Sequence, residues 1–149
     1  MTIERAIPSD HTTLTVITKQ SKAYWGYSTE QMEDWNALLT ITPDYLANNE
    51  AWKLVSGGEI IGYYSIFEID PQSLKLDNLF ILPEFIGKGL GKKLMDNVFE
   101  KAALNNYSSI TLDADPNAES FYHHFGFVTI GQIETSVPNR FLPVMRKLL

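Results

Sequence analysis

The chain has 149 residues, 44% of them apolar and 20% charged, with a formal net charge of −6 and no cysteine. That length and balance suit one soluble globular domain over 1–149 with a sizeable core, and they exclude a disordered or fibrous chain. The acidic balance argues against a nucleic-acid partner, because phosphate neutralisation needs a basic face. The lack of cysteine removes disulfides, a thiol nucleophile and thiolate metal sites.

Residues Thr2–Ile7 alternate as a short strand that Pro8 closes. Ser9 and Asp10 are capping residues, and a helix is expected from there to about Lys22. Ser28, with Gln31 three residues on, reads as a capping box. The helix that it opens carries Met32, Trp35, Leu38 and Leu39 as an apolar stripe. Thr42-Pro43 ends it, and Pro43 starts a further helical turn through Tyr45 and Leu46. Gly57-Gly58 separates two strand-like runs, Ala51–Val55 and Glu59–Ile69, and reads as a tight hairpin. Leu74–Ile81 completes a meander.

Pro83 stops that strand, and a glycine-rich turn, Ile86-Gly87-Lys88-Gly89-Leu90-Gly91, leads into an amphipathic helix. Leu90, Leu94, Met95, Val98, Phe99, Ala102 and Ala103 make its apolar face, and Asn105-Asn106 its C-cap. Ser108–Ala114 reads as a buried strand. Asp115-Pro116-Asn117 turns into a short helix through Tyr122 and His123, ended by Gly126. Phe127–Glu134 and Phe141–Leu149 are closing strands. This order is an α+β plan, a mixed and largely antiparallel sheet of about six to seven strands flanked by about four helices.

His11, His123 and His124 do not form a ligand set; the adjacent pair would point about 100° apart on a helix. No metal is expected. Met1–Arg5 does not open a signal peptide, and no run approaches the roughly 20 apolar residues of a membrane helix. A cytoplasmic protein without a membrane partner is the expectation, and a homodimer is compatible with the sequence.

A strand, a glycine turn and a helix together form an anion site. The first amides of a helix lack intrahelical partners, its dipole favours negative charge, and glycine lets a ligand approach the backbone. Lys88, Lys92 and Lys93 add positive charge. A P-loop would require glycine at Ile86 and Ser or Thr at Lys93. A dinucleotide fingerprint would require glycine at Lys92, although Asp113 lies about where a ribose-binding acid would.

A third reading of the turn rests on a resemblance. LFILPEFIGKGLGKKL, Leu79–Leu94, resembles the acyl-coenzyme A motif of the GCN5-related N-acetyltransferase (GNAT) family, Arg or Gln, two residues, Gly, one residue, then Gly or Ala. Gly89 and Gly91 match, and Ile86 stands at the usual Arg/Gln position. DPNAESFYHHFGF, Asp115–Phe127, resembles the family's second signature, with Ala118, Tyr122, Gly126 and Phe127 in register. The two motifs stand in the family's order, one helix and one strand apart.

The resemblance implies an enzyme that uses acetyl-CoA to acetylate a small-molecule amine. It implies splayed strands at the coenzyme site. Leu79, Phe80 and Ile81 would pair with pantetheine, and a backbone amide there would face the oxyanion. Ile86, Gly87, Lys88, Gly89, Leu90, Gly91 and Lys92 would hold the pyrophosphate. Asn117 would lie near the pantetheine arm or serve as turn former. Tyr122 would protonate the departing thiolate, being neutral at physiological pH with an ordinary pKa of about 10. Asp77 is the first candidate for the base, with Glu68 and Asp113 beside it. Tyr24, Trp25 and Tyr27 would wall the acceptor pocket or pack under the sheet. Arg140 would reach an acidic acceptor or phosphate, or form a surface salt bridge. Two rivals stand: a non-catalytic acyl-coenzyme A sensor module, and a dinucleotide-dependent oxidoreductase.

Overall fold

A computed structural model describes all residues, 1–149. Two units divide the chain: Met1–Ile66 with Asn78–Val98, and Phe67–Asp77 with Phe99–Leu149.

In the first unit, β1 (Thr2–Arg5) pairs antiparallel with β2 (Glu50–Ser56), Ile3 standing opposite Leu54. A 3-10 turn at Pro8–Asp10 leads into α1 (His11–Ala23). The Asp10 carboxylate accepts from the Ile7 amide and from Lys53 Nζ, both at 2.9 Å. Leu14, Ile17, Thr18 and Ser21 are the buried residues of α1 and lie on one helical face. Thr18 shares a hydrogen bond with the Tyr63 hydroxyl.

The next helix is shorter than its apolar stripe suggests. Ser28 caps α2 (Thr29–Asp34), its Oγ accepting from the Gln31 amide at 3.0 Å. The helix stops before Trp35, and only Trp35 and Leu39 of the later stripe are buried, whereas Leu38 is 78% exposed. The backbone here mixes i→i−3 bonds, Asn36 N to Glu33 O and Thr40 N to Ala37 O, with the i→i−4 bond of Leu39 N to Trp35 O. Side chains reinforce those turns: Lys19 Nζ donates to Asn36 Oδ1, and Thr40 Oγ1 donates to Asn36 O. The expected further turn is a separate helix, α3 (Pro43–Asn48), with Thr42 as its cap and Pro43 in its first turn.

Gly57 and Gly58 turn β2 into β3 (Glu59–Asp70) with φ of 58° and 82°. Ile61–Ile66 are buried throughout. After β4 (Ser73–Ile81), α4 (Leu90–Leu104) starts in this unit, with Leu90, Leu94, Met95 and Val98 buried. The Tyr64 hydroxyl donates to Asn97 Oδ1 and ties α4 to β3.

In the second unit, β5 (Ser109–Asp113) runs parallel to β4 over three rungs, Ser73–Lys75 against Ser109–Thr111. There the ladder ends. α5 (Glu119–His124) follows a 3-10 turn at Pro116–Ala118. β7 (Phe141–Leu148) inserts antiparallel between β5 and β6 (Val128–Glu134), and the β6–β7 register shifts between Thr129 and Gly131. The strand order is β1-β2-β3-β4-β5-β7-β6. The seven-stranded, mostly antiparallel α+β plan is as the sequence predicts, with five α-helices because three precede the meander. No helix is long and apolar enough to cross a membrane.

Candidate active site

The first unit holds the glycine turn, the strand that feeds it and the aromatic segment after α1. Leu79, Phe80 and Ile81 are half-buried on β4. The Leu82 amide donates to Ile61 O at 2.9 Å, so residue 82 faces β3. A strand alternates the direction of its amides, which turns those of Leu79 and Ile81 to the opposite edge. Gly62 sets the depth of this contact: a Cβ there would lie 3.0 Å from Phe80 O. Beside it, Asn78 Nδ2 donates to Ser65 Oγ at 2.9 Å, and Ser65 shares a 2.8 Å hydrogen bond with the Tyr45 hydroxyl.

A 3-10 turn at Pro83–Phe85 carries the chain to Gly87 and Gly89, with φ of 83° and 75°. Both lie in the left-handed region, where a side chain would be strained. The Lys93 amide donates to Gly89 O at 3.2 Å, and α4 begins at Leu90. The amides of Leu90, Gly91 and Lys92 therefore belong to the first helical turn, where no intrahelical acceptor exists. Lys88 Nζ stands 5.5 Å from the Phe85 ring centroid, and Lys92 pairs with Asp96 at 2.7 Å. Ile86 is exposed and supplies no polar group. The anion-binding capacity of this turn rests on backbone N–H groups and nearby lysines.

Tyr24 and Trp25 are 53% and 45% exposed, with their rings edge to face at 5.3 Å. Tyr27 behaves differently. It packs on Trp35 at 4.8 Å, and Lys22 Nζ stands 5.5 Å from its ring centroid and 5.3 Å from that of Trp35. The cation on Tyr27 comes from the chain itself.

The second unit holds Tyr122, Asn117 and the acids weighed as bases. Tyr122 lies on α5 and is 8% exposed. Phe121 and Phe127 meet its ring edge to face at 5.1 and 5.8 Å. Burial, and secondarily the negative charge of Asp115, hold its phenol well above the ordinary range, so it stays neutral. Asp115 Oδ1 accepts from both the backbone and side-chain nitrogens of Asn117, at 2.8 and 2.9 Å. Asn117 thus forms the turn before α5.

Asp77 is exposed on β4. Glu68 accepts from the Tyr107 hydroxyl at 2.9 Å, and Asp113 pairs with Lys75 at 2.7 Å. Arg140 pairs with Asp115 at 3.3 Å, with both side chains largely buried at 14% and 12% exposure. The expected salt bridge is present, but it is largely buried rather than on the surface. No group of three or more His, Asp or Glu is placed to hold a metal.

Sequence reasoning missed Gly62 and the Asp115–Arg140 pair. A lone glycine inside the apolar run of β3 is the signal for the first, since it marks close backbone approach. Nothing local signals the second, whose partners stand 25 residues apart.

The family model of the acetyltransferase (GNAT) domain matches residues 14–148. A 5-NmdU N-acetyltransferase of Pseudomonas phage PaMx11 is 29% identical over 136 residues, covering 87% of this chain and 89% of the relative. An uncharacterized N-acetyltransferase, ycf52, of Gracilaria tenuistipitata var. liui is 42% identical over 52 residues, and that match spans only 29% of the relative's length. Among solved structures, the PaiA N-acetyltransferase of Thermoplasma acidophilum, in complex with coenzyme A, superposes with a TM-score of 0.79 at 20% identity, covering all of both chains.

Proposed function

The chain belongs to the GNAT acetyltransferase family, and from that premise we propose that it moves an acetyl group from acetyl-CoA to a primary amine by direct attack. The glycine turn that opens α4 carries the reading, because it offers a backbone anion site with lysines around it. The donor set fits a coenzyme A pyrophosphate, with the amides of Leu90, Gly91 and Lys92 and the charge of Lys88 as its ligands. Acetyl-CoA would supply the activated thioester, and coenzyme A leaves as the thiol. The outward edge at Leu79 and Ile81 offers amides to the pantetheine arm and to the oxyanion. Asn117, which forms the turn before α5, would lie near the arm in this reading.

In the reaction, the N–C bond forms to give a tetrahedral oxyanion, and its collapse breaks the C–S bond. The ammonium first loses one proton to water or to Asp77, which frees the lone pair for attack; Tyr122 O–H protonates the sulfur, and the second nitrogen proton returns to the Tyr122 oxygen through water. A raised phenol pKa does not defeat that transfer, since the desolvation that raises the phenol raises a thiol in the same surroundings too. Tyr24 and Trp25, exposed together, offer an acceptor wall.

The test is calorimetric titration with acetyl-CoA, with NAD as control, followed by an amine screen read by thiol release. 5-NmdU enters the screen because the phage relative is named for it. Tyr122→Phe should lower kcat by about 10²–10⁴-fold while coenzyme affinity holds. Acetyl-CoA binding with no turnover on any amine would favour the sensor module instead. Binding of NAD with indifference to acetyl-CoA would overturn the proposal.

A further inference from the structure

The segment that carries Tyr122 is short. α5 has six residues, too few to hold its own geometry as an isolated helix. Its position must come from what grips its two ends. Both grips come from cations on or beside β7.

At the N-terminal end, Asp115 organises the turn with Oδ1, which accepts from Asn117 N and Nδ2. Its other oxygen, Oδ2, accepts from Arg140 Nη2. Arg140 is itself aimed by its loop: Thr135 Oγ1 donates to Arg140 O at 2.8 Å, and Asn139 takes a φ of 62°. At the C-terminal end, Lys147 Nζ donates to Phe125 O at 2.8 Å and stands 5.3 Å from the Phe99 ring centroid. A cation on the last carbonyls of a helix is favourably placed. Gly126 leaves room for it, since a Cβ there would lie 2.5 Å from Lys147 Nζ.

We infer that Arg140 and Lys147 are positioning residues that clamp the Asp115–Phe125 segment from both ends and thereby fix the Tyr122 hydroxyl and Asn117. Arg140 also holds in place the carboxylate whose field Tyr122 feels. Neither residue needs to touch substrate. The catalytic part of this inference rests on the acetyltransferase reading; the clamp itself does not.

The test uses the full chain labelled at tyrosine ¹³Cζ, with the Tyr122 resonance identified by its loss in Tyr122→Phe. Arg140→Ala and Lys147→Met should each move that resonance, and Arg140→Lys should return it toward the parent position. In turnover, Arg140→Ala should lower kcat by roughly 10- to 100-fold, the scale of a misplaced reacting group. The same change should add little in the Tyr122→Phe background, because the two residues act through one proton donor. An unmoved resonance in folded Arg140→Ala and Lys147→Met overturns the clamp, whatever the enzyme acetylates. A full additional loss in the Tyr122→Phe background overturns the route through Tyr122. If the parent turns over no amine, the resonance alone decides the clamp, and the acetyltransferase reading fails separately. If Arg140→Ala does not fold, Arg140→Lys and Lys147→Met carry the same comparison.

Discussion

An alanine at position 62 would place its Cβ 3.0 Å from Phe80 O, 3.3 Å from Ile81 Cγ1 and 3.5 Å from Ile81 Cα. The Ile81 side chain can rotate away. The Phe80 carbonyl is backbone, two residues before the Leu82 amide that bonds Ile61 O. Relief therefore requires β4 to shift by a few tenths of an ångström. Overpacking of this kind costs about 1–3 kcal/mol, and the stiffer unfolded chain of an alanine returns about 0.4–1 kcal/mol. A net loss of roughly 1–2 kcal/mol lowers Tm by about 2–8 °C in a domain of this size. Differential scanning calorimetry measures it. Titration with acetyl-CoA should show weaker binding, because the displaced strand carries the outward amides of Leu79 and Ile81. Gly131→Ala is the control, since a Cβ there meets nothing within 4 Å and the residue lacks a positive φ. Should Gly62→Ala melt with the parent, or above it, the close approach of β3 and β4 is not what position 62 requires.

Three further outcomes test the site and its support. The phenol of Tyr122 is held above its ordinary value of about 10. A general acid must be protonated, so Tyr122 should impose no falling limb on kcat below about pH 10; a limb centred below about pH 9 that vanishes in Tyr122→Phe would refute the assignment. The same sign governs folding: this group's contribution is full below about pH 10 and is lost as pH rises further, which alkaline unfolding monitors. On α4, Leu94 is fully buried and Leu104 is 69% exposed. Leu94→Ala should cost about 2–5 kcal/mol and Leu104→Ala less than about 0.5 kcal/mol, read from urea midpoints. Equal losses would show that the α4 face is assigned wrongly.

Much of the glycine turn was legible because its signals are local. Gly87 and Gly89 adopt the left-handed backbone that only glycine takes easily, and the apolar spacing from Leu90 to Ala102 marks the α4 face. Ala103 is exposed, at the edge of that face. The helix after Ser28 was misjudged in length because Trp35 and Leu39 are buried from a turn, so burial keeps the helical spacing after the helix has ended. The role of Tyr27 and the partner of Arg140 were not legible. Each rests on a residue, Lys22 or Asp115, whose placement depends on tertiary packing. Composition holds no trace of that placement.

The shifted register between Thr129 and Gly131 bears on how the molecule lives at high concentration. β6 is the last strand of the sheet, every residue of it is exposed, and it shows Val128, Ile130 and Ile133 to solvent. A straight strand of that composition is a template onto which another chain adds, the first step toward intermolecular β-structure. The extra residue, Ile130, breaks the regular spacing of amides after two positions and twists the edge. Glu134 places a charge near the far end. An irregularity that looks like imperfect pairing thus makes the outer rim of the sheet a poorer template for strand addition.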